Sequence, residues 1–324
     1  MKAIGFNRYG TPDVLEVLDA HAPDPGPGEV LVRVRACGLN PVDTKIRRGM
    51  LPMPFAFPVV PGYDVSGVVE AVGPEVADFQ PGDEVFYSPE LLPPGGLAEF
   101  HLAHESIVAL KPDGIGHAEA ASLPLAGMTA WQALFDRGGA QPGEVVLILG
   151  GAGGVGSLAV QLASWAGCEV LATAGEANQE FVEDLGAGMV FDYASEKVVE
   201  EILEATAGDG ADLVVDTVGG AAFAASFDAL IPHGRVVSIV PEAFGAGPMA
   251  ALVPAFFKNA EIHCLFMERS REDLDTLARL VERGFVEPVL DDVVGFDVEP
   301  LVKAHHRLEG GHGRGKLVVR VSAG

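Results

Sequence analysis

With 324 residues, 48 % of them hydrophobic, the chain is long enough for about two domains around a sizeable core. A formal net charge of −25 argues against nucleic acid and anionic membrane surfaces as partners, because both repel an acidic exterior. Three cysteines (Cys37, Cys168, Cys264) without a CxxC pair exclude a disulfide scaffold and suit a reducing cytoplasm, while the start MKAIGFNRYG lacks the apolar stretch of a signal peptide and no run of about 18 apolar residues reads as a membrane span.

Residues 1–111 read as short strands between turns. Residues 30–36 (VLVRVRA) alternate apolar and charged, the period of a half-buried strand. Residues 65–72 form a second apolar strand with Gly67 inside it, 83–87 follow a Pro81-Gly82 turn, and 97–102 alternate again. His101 and His104 lie at odd spacing on a strand, so they point to opposite faces and do not read as a metal pair. Cys37 closes the first strand and reads as a packed thiol without a partner base. Among the basic residues, Lys45, Arg47 and Arg48 form one cluster, read either as an exposed face or as a lure for phosphate.

Residues 117–135 are rich in Ala and Leu and read as helical, with Pro124 breaking or kinking them. The unbroken run 145–149 (VVLIL) fits a parallel strand covered on both faces. Helices are expected at 157–166, 181–185, 197–205 and 223–230, with strands between them at 170–174, 189–191, 213–216 and 235–240. This alternation predicts an α/β domain with a doubly wound parallel sheet. Residues 262–266 read as a last strand and 271–283 as an amphipathic helix. Residues 315–321 (GKLVVRV) alternate like the N-terminal strands, so the C-terminus is expected to return to the first domain. His305 and His306 are adjacent in a helical context and are expected at the surface.

The central motif is Gly151-Ala152-Gly153-Gly154-Val155-Gly156, a G-x-G-x-x-G that follows a buried strand and opens a helix. Glycines there permit a tight turn and close backbone approach, so amides at the helix N-terminus are free to hold a pyrophosphate. Other contacts are expected where strands end: Val218 and Gly219 after Asp216, and Ile239 after the next strand. The second strand ends at Ala174 without the acid that holds a ribose in NAD sites. No cation for a 2′-phosphate follows, and Glu176 is near, so these residues leave NADP and NAD open.

Several stretches together resemble the quinone oxidoreductase (zeta-crystallin-like) branch of the medium-chain dehydrogenase/reductase superfamily. They are Gly38-Leu39-Asn40-Pro41-Val42-Asp43, Pro61-Gly62-Tyr63-Asp64-Val65-Ser66-Gly67, Pro81-Gly82-Asp83-Glu84-Val85, Gly127-Met128-Thr129-Ala130, the glycine loop, and Gly313-Arg314-Gly315-Lys316. The resemblance implies a Rossmann domain (124–267) inserted into a β-rich GroES-like catalytic domain (1–123 and 268–324), with the active site in the cleft between them. It also implies a homodimer that extends the Rossmann sheet, and reduction of quinones or enones, commonly with NADPH. It places Tyr193 on the adenosine-phosphate side and Arg314 and Lys316 near the dinucleotide.

Zinc-dependent relatives carry a Cys where this chain has Asn40, a His-Glu pair where it has Tyr63-Asp64, and a further Cys or Asp where it has Leu125. Residues 87–99, where a structural zinc lobe would sit, hold no cysteine, so no metal is expected. Without a Lewis acid the expected acceptor is one whose conjugated system delocalises the charge that hydride brings, a quinone or an α,β-unsaturated carbonyl. The expected groups on the substrate side are Asn40, as an amide donor to the carbonyl oxygen, with Asp43 and Tyr63; Thr129 is expected toward the nicotinamide. The pocket walls are expected from 51–57 and 241–257. Two other readings use the same residues: a nucleotide-binding structural protein or redox sensor with little turnover, and a zinc alcohol dehydrogenase.

Overall fold

The computed structural model describes residues 1–92, 95–240, 253–311 and 313–322, so 241–252 of the expected pocket wall lie outside the described residues. The chain divides into two compact units. One is Met1–Met128 with Arg269–Gly284 and Pro288–Gly324; the other is Thr129–Glu268 with Phe285–Glu287.

In chain order, the first stretch carries β1 (Lys2–Gly5), β2 (Glu16–Asp19), β3 (Glu29–Gly38), α1 (Pro41–Arg47), β4 (Asp64–Val72), β5 (Glu84–Tyr87), β6 (Phe100–His104) and β7 (Ala109–Leu110). Helices α2 (His117–Ala120) and α3 (Pro124–Trp131) follow, the latter continuing as a π-helix over Gln132–Arg137. The second unit supplies β8 (Val145–Leu149), α4 (Gly154–Trp165), β9 (Glu169–Ala174), α5 (Gln179–Asp184), β10 (Met189–Asp192) and α6 (Val198–Ala205). It continues with β11 (Ala211–Asp216), α7 (Gly220–Ser226), β12 (Leu230–Ser238), α8 (Val253–Lys258) and β13 (Glu261–Cys264). The return segment holds α9 (Arg271–Glu282), β14 (Leu290–Gly295), α10 (Val298–Gly310) and β15 (Lys316–Arg320).

The first unit is built on a sheet ordered β14-β15-β3-β4-β5-β7, with β6 also paired to β3. Strand β15 runs antiparallel to β3, with Val318 opposite Gly38, so the C-terminus does return to the first sheet. Gly67 has a steric reason: a Cβ there would lie 2.3 Å from the Arg33 carbonyl oxygen of the neighbouring strand.

The second unit is a parallel sheet ordered β10-β9-β8-β11-β12-β13. This is the doubly wound order, in which the chain reverses direction between β8 and β11. Both are central strands, and Val146, Leu147, Ile148, Val214 and Val215 are fully buried, as an unbroken apolar run requires. No helix among the described residues is long and apolar enough to cross a membrane.

Two expectations need correction, and one is made more definite. The helix read over 223–230 ends at Ser226, and Leu230 already belongs to β12, where it is buried opposite Ala211 before a register shift. As expected, Pro124 breaks the helical stretch 117–135: it starts a second helix, at a position whose missing N–H costs nothing. Of the adjacent histidines, His306 is exposed but His305 is fully buried, since neighbours on a helix face about 100° apart.

Candidate active site

The glycine loop lies at the C-terminal end of β8 and opens α4, with Gly153 as the residue before the helix. Gly150, Gly151 and Gly156 have local reasons to be glycine. Gly150 has φ +79°, a region that L side chains avoid. A Cβ on Gly156 would lie 2.1 Å from the Gly150 carbonyl oxygen, and one on Gly151 would press within 3.0 Å of Val182 and Ala172. Gly153 is different: its φ is −75°, and its Cβ would touch only the Gly150 oxygen at 3.5 Å. Neither strain nor packing asks for glycine at 153. What its bareness preserves is open space over the amides of Gly154, Val155 and Gly156, the first turn of a 12-residue helix, whose N–H groups lack intrahelical acceptors. The residues present therefore fit a dinucleotide pyrophosphate.

The neighbouring strand ends are tied in place. The Gly150 N–H donates to Thr173 Oγ1 (3.1 Å), and Thr217 Oγ1 donates to the Leu149 carbonyl (2.7 Å). Asp216, fully buried, accepts from the N–H groups of Val218 (3.0 Å) and Gly219 (2.7 Å) and from Ser238 Oγ (2.6 Å). Val218 and Tyr193 are more than half exposed, and the Tyr193 hydroxyl would lie 3.2 Å from a Cβ on Gly175. Ile239 is partly exposed, its N–H held by the Asp216 carbonyl. A cavity lined by Val145, Glu169, Asp209 and Asp212 opens at the opposite, N-terminal edge of these strands, away from the loop.

The second group of candidates lies in the first unit, where α1 begins. Asp43 accepts from the backbone N–H groups of Asn40 (2.7 Å) and Gly62 (2.5 Å), pinning the 61–63 loop to the helix start. Burial pushes its carboxyl up to about 7, against the pull of those two donors. Asn40 Nδ2 donates to Asp64 Oδ2 (2.8 Å), and Asn40 Oδ1 accepts from the Lys316 ammonium, which also donates to Asp64 Oδ2 (2.8 Å). Asp64 Oδ1 takes the Leu125 N–H (2.5 Å). Burial raises the Asp64 carboxyl, while Lys316, Asn40 and the Leu125 amide draw it back.

Tyr63 is fully buried, its hydroxyl 3.4 Å from the Leu91 carbonyl, and burial holds the phenol well above its usual range. Thr129 is buried on α3.

The structure thus brings Asn40 and Asp43 together and adds Asp64, which residue types alone did not single out. Its signal was its place where zinc relatives carry an acid. Lys316 was singled out for the dinucleotide, but its ammonium is turned to Asn40 and Asp64. Arg314 is exposed, its N–H on Asp291 (3.2 Å). The basic cluster after Asp43 does not exist as a patch: Arg48 is exposed, Lys45 half-buried, and Arg47 fully buried.

Zinc does not fit this donor set. Asn40 and Asp64 are bound to an ammonium, and among the described residues no group of three or more His, Cys, Asp or Glu side chains is placed to hold a metal.

Two family models match the chain: an alcohol dehydrogenase GroES-like domain over residues 26–121 and a zinc-binding dehydrogenase over 185–319. A chloroplast envelope quinone oxidoreductase homolog of Arabidopsis thaliana is 36 % identical, covering 98 % of this chain and 98 % of its own. The chain belongs to the quinone oxidoreductase branch of the medium-chain dehydrogenase/reductase superfamily. As a member it is an oxidoreductase that works with a nicotinamide cofactor. Another relative of this branch member is an NADPH-dependent alkenal/one oxidoreductase, chloroplastic, of Arabidopsis thaliana, 36 % identical over 98 % of this chain and 79 % of its own. Among solved structures, an NAD-dependent alcohol dehydrogenase superposes with a TM-score of 0.91 at 34 % identity, covering 99 % of this chain and all of its own.

Proposed function

We propose that this oxidoreductase reduces quinones or α,β-unsaturated carbonyl compounds with NADPH and without zinc. The observation that carries the reading is Gly153, a glycine that neither φ nor packing demands, at the mouth of α4. When bound, the dinucleotide supplies the hydride. Gly151, Gly153, Gly154, Val155 and Gly156 hold its diphosphate on bare backbone, with Tyr193, Val218 and Ile239 beside the strand ends. Ala174 at the end of β9 lacks the acid of an NAD ribose site, and the alkenal/one relative is named for NADPH; both support NADPH over NADH.

On the substrate side, Asn40 donates an amide N–H to the acceptor oxygen as charge gathers there, and Asp43 keeps the loop carrying Tyr63 in register. The amide, phenol and ammonium-bound carboxylate of this cluster support a reaction that needs no Lewis acid, and the names of the quinone and alkenal/one relatives support the acceptor class. Three free cysteines support a cytoplasmic setting. A homodimer is supported by β13, which among the described residues pairs only with β12 at the sheet edge, and by exposed Phe256, Phe257, Ile262 and Phe266 around it.

The test is turnover of NADPH and NADH against a panel of quinones and enones, with and without a chelator. Steady oxidation of NADPH, unchanged by the chelator, is expected; tight binding with no turnover would favour the sensor reading, and chelator-sensitive alcohol oxidation would favour the zinc dehydrogenase. Gly153→Val, which fills the space over α4, is expected to weaken NADPH binding by more than about 100-fold while leaving the thermal transition of the first unit in place. Unchanged affinity would remove the site.

A further inference from the structure

We propose that Lys316 is a positioning residue of this reaction: with Asp64, it locks the Asn40 amide in the one orientation that leaves an N–H for the acceptor oxygen. The proposal rests on the reductase reading above and replaces the dinucleotide contact that resemblance implies for Lys316.

An asparagine side chain has two ends of almost equal shape and opposite chemistry, so half a turn about its last bond exchanges a donor for an acceptor. A lysine ammonium only donates and an ionised carboxylate only accepts. With Lys316 at one end of Asn40 and Asp64 at the other, a single orientation satisfies both. The reverse sets NH₂ against NH₃⁺ and a carbonyl against a carboxylate. In the satisfied orientation Nδ2 gives one hydrogen to Asp64, and its second has no acceptor among the described residues. Lys316 also binds Asp64 directly, closing a triangle whose three corners are all at least 94 % buried.

Sheet register builds this triangle. Gly38, at the end of β3, stands opposite Asp64 on one side and Val318 on the other. The antiparallel register continues past the strand, with the Leu39 N–H on the Leu317 carbonyl (2.8 Å), and therefore sets Asn40 opposite Lys316. Residues two apart share a face, so Asn40 follows Gly38, and Lys316 follows Val318, on the same side of the paired strands. A Lys316 ammonium drawn off to a phosphate would strand the buried Asp64 charge, which is costly.

The experiment compares wild type with Lys316→Met and with the charge-balanced double variant Asp64→Asn/Lys316→Met, which folds without a stranded carboxylate. Direct titration with NADPH is expected to give affinities within about twofold of wild type, while kcat for an enone falls roughly 10- to 100-fold. The wild type has four asparagines, Asn7, Asn40, Asn178 and Asn259, and the double variant five, few enough for ¹⁵N labelling of asparagine to resolve each side-chain amide. The Asn40 pair is expected to be well separated and slow to exchange in wild type, and to exchange rapidly in the double variant. Lost NADPH affinity with kcat kept would restore the phosphate contact and overturn the proposal, as would unchanged Asn40 amide signals. Wild type that turns over no quinone or enone would overturn the reductase reading and the acceptor half of this proposal, with amide exchange still deciding whether Lys316 fixes Asn40.

Discussion

At the start of α1, Lys316 meets Asn40 and Asp64; at its end, seven residues on, Arg47 meets Glu309, His305 and the Gly10 carbonyl. Both cations are buried and both tie α1 to the return segment. They differ in what each cation meets. Arg47 meets acceptors that end there: Nε donates to His305 Nδ1 at 3.3 Å, Nη1 to Gly10 and Nη2 to Glu309. Lys316 meets an amide, and by holding its oxygen it fixes which way the Asn40 N–H donors point. Burial of charge marks a costly place in either case; at the Lys316 end it also orients a neutral donor that is able to act on a ligand.

The comparison breaks if removing Arg47 harms catalysis. Arg47→Met is expected to cost about 3 kcal/mol of stability in urea unfolding, because three acceptors lose their donor at once. The folded fraction should keep its kcat/KM within about twofold.

The two ends also titrate in opposite senses. Burial lifts Asp43 to about 7, so the folded chain holds a proton that the unfolded chain releases near pH 4. Its contribution to stability is full below that pH and is lost as pH rises toward 7. Burial first, then Arg47 and His306, lowers His305 to about 3, so the folded chain keeps it neutral while the unfolded chain takes up a proton below about 6.5. That contribution is full above pH 6.5 and is lost as pH falls. Each amounts to about 2 kcal/mol between pH 5 and 7, with opposite sign, so they largely cancel. Asp43→Asn should therefore make stability rise with pH over this window by about 2 kcal/mol more than in wild type. His305→Gln should make it fall by slightly less, about 2 kcal/mol, relative to wild type. Parallel urea midpoints at pH 5, 6 and 7 measure both; the same slope in both variants would refute the opposition.

Much of the first end was legible before the fold was known. Asn40, Asp43 and Tyr63 sit in short stretches whose resemblance carries over residue by residue. The second end was misread. Arg47 looked like part of a basic face with Lys45 and Arg48, and His305 like a surface residue. A signal for His305 was present, because Leu301, Ala304 and His305 fall at i, i+3 and i+4 on α10 and all three are buried. Helix α10 and β14 were not read from the sequence, so that pattern went unused.

The sequence by itself determined the parallel sheet, the glycine turn and the return of the last strand to the first sheet. Each is written locally, in the period of apolar residues or in glycines adjacent along the chain. Tertiary structure alone decided that Lys316, 276 residues from Asn40, closes on it, and that Arg47 is interior. Such pairings depend on strand register and helix packing, which bring together side chains whose separation along the chain carries no trace of the contact.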